Sequence, residues 1–109
     1  MSNITFCIPE HETIPTRLRL KIEKDEGRDI IVNYRRLPDN FDYEFEFYNI
    51  ETAEEAEKYL KDIVSIMCNQ SFDHGAKWRV ADTKLVESKI NSIYQAVTYV
   101  VGFRIKDSY

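Results

Sequence analysis

Apolar and polar residues alternate through most of the first half of the chain, the signature of strands with one buried and one wet face. Ile4, Phe6 and Ile8 predict a short strand over residues 3–8, stopped by Pro9. Across 16–23, Leu18, Leu20 and Ile22 face one way while Arg17, Arg19, Lys21 and Glu23 face the other. Residues 24–28 read as a turn in which Gly27 can take a positive φ. Residues 29–36 resume the alternation with Ile30, Val32 and Tyr34 toward the core. Leu37-Pro38-Asp39-Asn40 forms the next turn, and 43–48 sets Tyr43, Phe45 and Phe47 against Glu44, Glu46 and Tyr48. Together these segments predict an antiparallel meander.

The period changes at Thr52. Ala56, Tyr59, Leu60, Ile63, Val64 and Met67 recur at helical spacing, which predicts a helix over 52–69. Thr52 and Glu55 have the capping-box spacing, in which each side chain satisfies a backbone N–H that the first turn leaves unbonded. Glu54, Glu55 and Glu57 lie where the helix dipole favours negative charge. Beyond the helix, 77–81 reads as a strand, and two readings compete over 82–96. Val86, Ile90, Ile93, Tyr94 and Val97 suit a helix capped by Asp82; the competitor is a long hairpin turning near Asn91. Alternation fails at Asp82 and Lys84, which favours the helix. Residues 97–106 predict a last strand, with Val97, Tyr99, Val101, Phe103 and Ile105 on one face. The expected architecture is α+β: an antiparallel β-sheet of four to six strands packed against one or two helices in a single pair of layers.

Composition narrows the class. A chain of 109 residues, 43% hydrophobic and 31% charged, fits one globular domain spanning 1–109. No apolar run approaches the roughly 18 residues of a membrane helix. The N-terminus lacks a basic segment followed by a long apolar core, so no secretory signal is expected. Two cysteines, Cys7 and Cys68, are too few for a disulfide framework. These features predict a soluble, cytoplasmic protein with reduced thiols. A pI near 5.2 disfavours non-specific binding to nucleic acid or membrane.

Charge is segregated along the chain although its net value is only -4. Leu37–Glu57 holds eight carboxylates and no Lys or Arg, while the twenty residues before it hold seven of the fifteen basic residues. Pairing Leu20 with Val32 and Val32 with Phe47 sets Arg17 opposite Arg35, Arg35 opposite Glu44, Arg19 opposite Asn33 and Asn33 opposite Glu46. Such a face is either a salt-bridge ladder or, through Arg17, Arg19 and Arg35, a phosphate clamp. Trp78, flanked by Lys77 and Arg79, or Tyr94, would then stack on a ring. Alternatively Asp39, Asp42, Glu51, Glu54 and Glu55 form an acidic surface for a basic protein partner.

Cys7, His11, Cys68 and His74 are chemically a zinc set, but their spacing lacks the usual close pairs and no metal site is expected. No P-loop, dinucleotide fingerprint or nucleophile motif occurs, so no cofactor is expected; His74 beside Asp73 is the nearest approach to a catalytic pair. Phe103, Ile105 and Tyr109 either complete the core or pair copies through an uncovered strand edge. The sequence thus predicts a protein-interaction module or stoichiometric inhibitor with an acidic contact surface. The alternative is a binder of a nucleotide or another phosphate compound.

Overall fold

The computed structural model describes residues 3–5, 18–23, 29–38, 41–69, 77–90, 93 and 95–105. Among these residues six strands and one helix follow in the order β1 Asn3–Thr5, β2 Leu18–Glu23, β3 Asp29–Arg36, β4 Asp42–Tyr48, α1 Ala53–Asn69, β5 Trp78–Lys89 and β6 Ala96–Ile105. The sheet order is β1-β2-β3-β4-β6-β5, and every neighbouring pair is antiparallel. After β4 the chain crosses one face as α1, enters β5 at the far edge, and returns as β6 into the space between β4 and β5.

The meander takes the register that keeps apolar positions on one face: Leu20 pairs with Val32, and Val32 with Phe47. Ile22, Ile30, Val32, Phe45 and Phe47 are fully buried there. On β6 the same face presents Val97, Tyr99, Val101 and Phe103. Aromatic edges fill the layer, with Tyr43 against Phe103 at 5.8 Å and Phe47 against Tyr99 at 6.2 Å, both near perpendicular. Helix α1 covers this face with Ala56, Tyr59, Leu60, Ile63 and Met67.

Local chemistry fixes where α1 begins. Thr52 Oγ1 accepts the Glu55 N–H at 3.1 Å, and Glu55 Oε1 accepts the Glu51 N–H at 3.2 Å. Upstream, Asn49 turns the chain out of β4 with φ at 65°, a conformation asparagine tolerates better than most residues. Its Nδ2 donates to the Asp29 carbonyl at 3.0 Å, and the Ile50 N–H donates to the Gln95 carbonyl at 3.1 Å. Both ends of the β4–α1 joint are thereby tied to the sheet.

The helix expected over 82–96 is not formed. Residues up to Lys89 belong to β5, a twelve-residue strand, and the hairpin reading is correct. The register slips between Val80 and Asp82 and again between Leu85 and Glu87, one extra residue each time. These bulges turn the two-residue strand repeat into three-residue steps, Val80 to Thr83 and Leu85 to Ser88, which resemble a helical spacing. Of Phe103 and Ile105, only Phe103 completes the core; Ile105 is 58% exposed. Strand β6 is not an edge; it lies between β4 and β5.

Candidate interaction surface

The face of the sheet away from α1 carries the described part of the predicted charge rows, Arg35 opposite Glu44 and Arg19–Asn33–Glu46. Arg35 Nε lies 3.2 Å from Glu44 Oε1, and Arg19 Nε donates to Asn33 Oδ1 at 3.3 Å. Lys21 Nζ is 3.2 Å from Asp29 Oδ2. One further cluster forms where β6 is flanked by acids on both sides. Asp42 and Asp82 stand opposite Gly102 from the two neighbouring strands. A Cβ at 102 would lie 2.5 Å from Asp82 Oδ1 and 3.0 Å from Asp42 Oδ1, so glycine makes the room both carboxylates occupy. Arg104 Nη1 lies 3.5 Å from Asp42 Oδ1 and also donates to the Phe103 carbonyl at 2.7 Å.

Of the five residues expected for a phosphate site, Arg19, Arg35 and Trp78 are described. Arg17 and Tyr94 lie outside the described residues, as do Cys7, His11, His74 and Tyr109. Arg35 is engaged with Glu44 and Arg19 with Asn33. Trp78 is buried, its ring 4.6 Å from that of Phe41, and Arg36 covers Phe41 at 4.5 Å, so the tryptophan closes the end of the core. Trp78 also begins β5, four strands from Arg19, a separation on the order of 19 Å at the usual strand spacing.

The described acidic residues lie at two ends of β4. Asp39 lies outside the described residues. Asp42 sits at the start of β4 on the outer face, whereas Glu51, Glu54 and Glu55 follow its other end, roughly 20 Å along the strand. Glu55 is committed to the helix cap. Glu54 and Glu57 stand four residues before Lys58 and Lys61, the order in which helical ion pairs are most favourable. Glu57 and Glu54 also add to the effect of burial in raising the pKa of Tyr99.

Strand β5 is the part that sequence reasoning did not single out. It is the last strand of the sheet among the described residues, and every residue from Arg79 to Lys89 is exposed. Leu85 and Val86 are 50% and 51% exposed, large values for apolar residues on a strand. Along it, charge runs Arg79, Asp82, Lys84, Glu87, Lys89, alternating in sign at every step. The alternation is visible in the sequence, but only the bulges explain its uneven spacing. Where β5 and β6 meet β4, an outer-face cavity of about 390 Å³ is lined by Glu46, Tyr48, Glu87, Lys89, Ala96 and Thr98. Two carboxylates against one ammonium make this a poor phosphate pocket.

Among the described residues no cluster of three or more His, Cys, Asp or Glu side chains could hold a metal ion, and no helix is long and apolar enough to cross a membrane. Cys68 is a free, half-buried thiol whose pKa is raised by burial. Comparison with protein-family models, with curated proteins and with solved structures finds no match.

Proposed function

We propose that this chain is a small intracellular protein-interaction module that binds its partner by strand addition at β5. The observation that carries this reading is the edge: twelve residues long, exposed from Arg79 to Lys89, with no described strand on its outer side. An added strand satisfies the outward backbone groups, while side-chain contacts select the partner. Leu85 and Val86 supply the apolar part of that contact. A stoichiometric inhibitor is one form such a module takes. The acidic helix start has weaker support, because Glu55 serves the cap and Glu54 and Glu57 have lysines at favourable spacing. A phosphate-compound binder has weaker support too, with Arg35 paired and Trp78 in the core.

The test is affinity capture from the protein's native cytosol with the wild type, Val86→Asp and Glu54→Lys, each checked for an unchanged thermal melt. Capture lost with Val86→Asp and kept with Glu54→Lys is the expected result. The reverse pattern moves the contact to the helix start and overturns the β5 reading.

A further inference from the structure

Resting on the strand-addition reading, we infer that the partner on β5 is a second copy of this chain, the two β5 strands pairing antiparallel about a two-fold axis at Thr83. Charge complementarity within one strand selects this partner. Arg79, Asp82, Lys84 and Glu87 stand opposite Arg104, Gly102, Val100 and Thr98, all on the outer face. Thr83, Leu85 and Ser88 stand opposite Val101, Tyr99 and Val97, on the helix face. A two-fold axis perpendicular to the sheet keeps each face on its own side. With the axis at Thr83, Asp82 of one copy meets Lys84 of the other, and Arg79 meets Glu87. Each contact occurs twice, Val80 meets Val86 and Ala81 meets Leu85; the one like-charge opposition, Lys77 against Lys89, falls where Lys77 precedes the strand and Lys89 has Glu87 of its own chain at 3.3 Å.

Neighbouring registers are disfavoured. Sliding one strand by two residues sets Lys84 against Lys84 and Arg79 against Lys89, or Asp82 against Asp82. Like charges directly opposite are destabilising. A slide of one residue mixes the two faces. An axis between Leu85 and Val86 also matches opposite charges, but only over 82–89, and it leaves Arg79 without a role. Pairing at Thr83 also relieves a feature of the single chain: Arg79 lies opposite Arg104 across β5 and β6, and Glu87 of the second copy brings an acid to its other side. Bulges and charges ordinarily protect an edge from indiscriminate pairing. Here they leave it open to a strand carrying the same charges in reverse order, which this strand itself provides.

The measurement is sedimentation equilibrium of the full chain across micromolar to millimolar concentrations at low salt. The wild type is expected to show a reversible monomer–dimer equilibrium. Arg79→Glu and Glu87→Arg each oppose like charges in the dimer, so each alone is expected to weaken association at least tenfold. An equimolar mixture of the two is expected to associate. In the mixed dimer the introduced acid of one copy meets the introduced base of the other, and the native Arg79 and Glu87 that remain meet each other. That rescue cannot come from a misfolded chain. A wild type that is monomeric throughout overturns the inference. So does a dimer indifferent to Arg79→Glu, or a mixture that fails to associate. If the wild type is monomeric while Val86→Asp abolishes capture of another protein, this inference falls and the strand-addition reading stands. If capture is also indifferent to Val86→Asp, both fall.

Discussion

The ion pair between Arg35 and Glu44 decides whether the outer face is a ladder or an anion site, and its strength can be worked from the geometry. At 3.2 Å, the attraction between unit charges is about 1.3 kcal/mol in bulk water and about 5 kcal/mol at an effective dielectric constant of 20. Desolvation and loss of side-chain freedom offset most of that, and cross-strand pairs retain roughly 0.2–1 kcal/mol. Glu44 is only 18% exposed and Arg35 38%, which places this pair at the upper end, about 1 kcal/mol. The unequal burial predicts unequal single mutants. Arg35→Met deprives a mostly covered carboxylate of its guanidinium and is expected to cost about 1–2 kcal/mol. Glu44→Gln leaves a guanidinium that water can still reach, at about 0.5–1 kcal/mol. A double-mutant cycle by urea denaturation, in low and high salt, isolates the coupling. The expected value is about 1 kcal/mol, falling only modestly with salt because the pair is partly buried. A coupling below about 0.3 kcal/mol refutes the ladder and makes Arg35 available to an external anion.

Three further outcomes follow from the core, the helix face of β6 and the lone described thiol. Ile63 is fully buried between α1 and the sheet, so Ile63→Ala is expected to cost about 2–5 kcal/mol in urea denaturation, and a loss under 1 kcal/mol would mean that the helix does not pack as described. The buried Tyr99 hydroxyl makes no hydrogen bond among the described residues, so Tyr99→Phe is expected to be neutral or to stabilise by up to about 1 kcal/mol near neutral pH. Burial, then Glu57 and Glu54, raise the Tyr99 pKa, so its protonated form is the one folding favours. Wild-type stability from this residue is full below the unfolded value of about 10 and is lost as pH rises through the folded value; Tyr99→Phe should flatten that decline. Burial raises the Cys68 pKa, so in a Cys7→Ser background the folded protein should react with a thiol reagent far more slowly than the denatured chain, and equal rates would contradict the packing of α1.

The first half of the fold was legible because burial there is one-sided and strict. Each of β2, β3 and β4 alternates a fully covered residue with a partly wet one, so both strand type and register follow from keeping Leu20, Val32 and Phe47 on one side. The helix was legible for the same reason at a different period, with Thr52 and Glu55 marking its start. Strand β5 was illegible because neither of its faces is buried beyond Trp78, so no apolar alternation was required of it, and two bulges broke the repeat that remained. The charge segregation was legible as composition, while its pairing in space was legible only through the strand register. Arg35 and Glu44 meet across one hairpin, Asp42 meets Arg104 from β6, and Glu55 turns back onto the backbone, so much of the segregated charge is used inside the molecule. The alternating series on β5 is engaged only in part, with Glu87 Oε1 3.3 Å from Lys89 Nζ and both side chains about half exposed. The lack of burial that hid this strand from the hydrophobic pattern also leaves its backbone edge and its charges facing outward, so Arg79, Asp82, Lys84 and Glu87, rather than the acidic stretch, are placed to meet a partner strand.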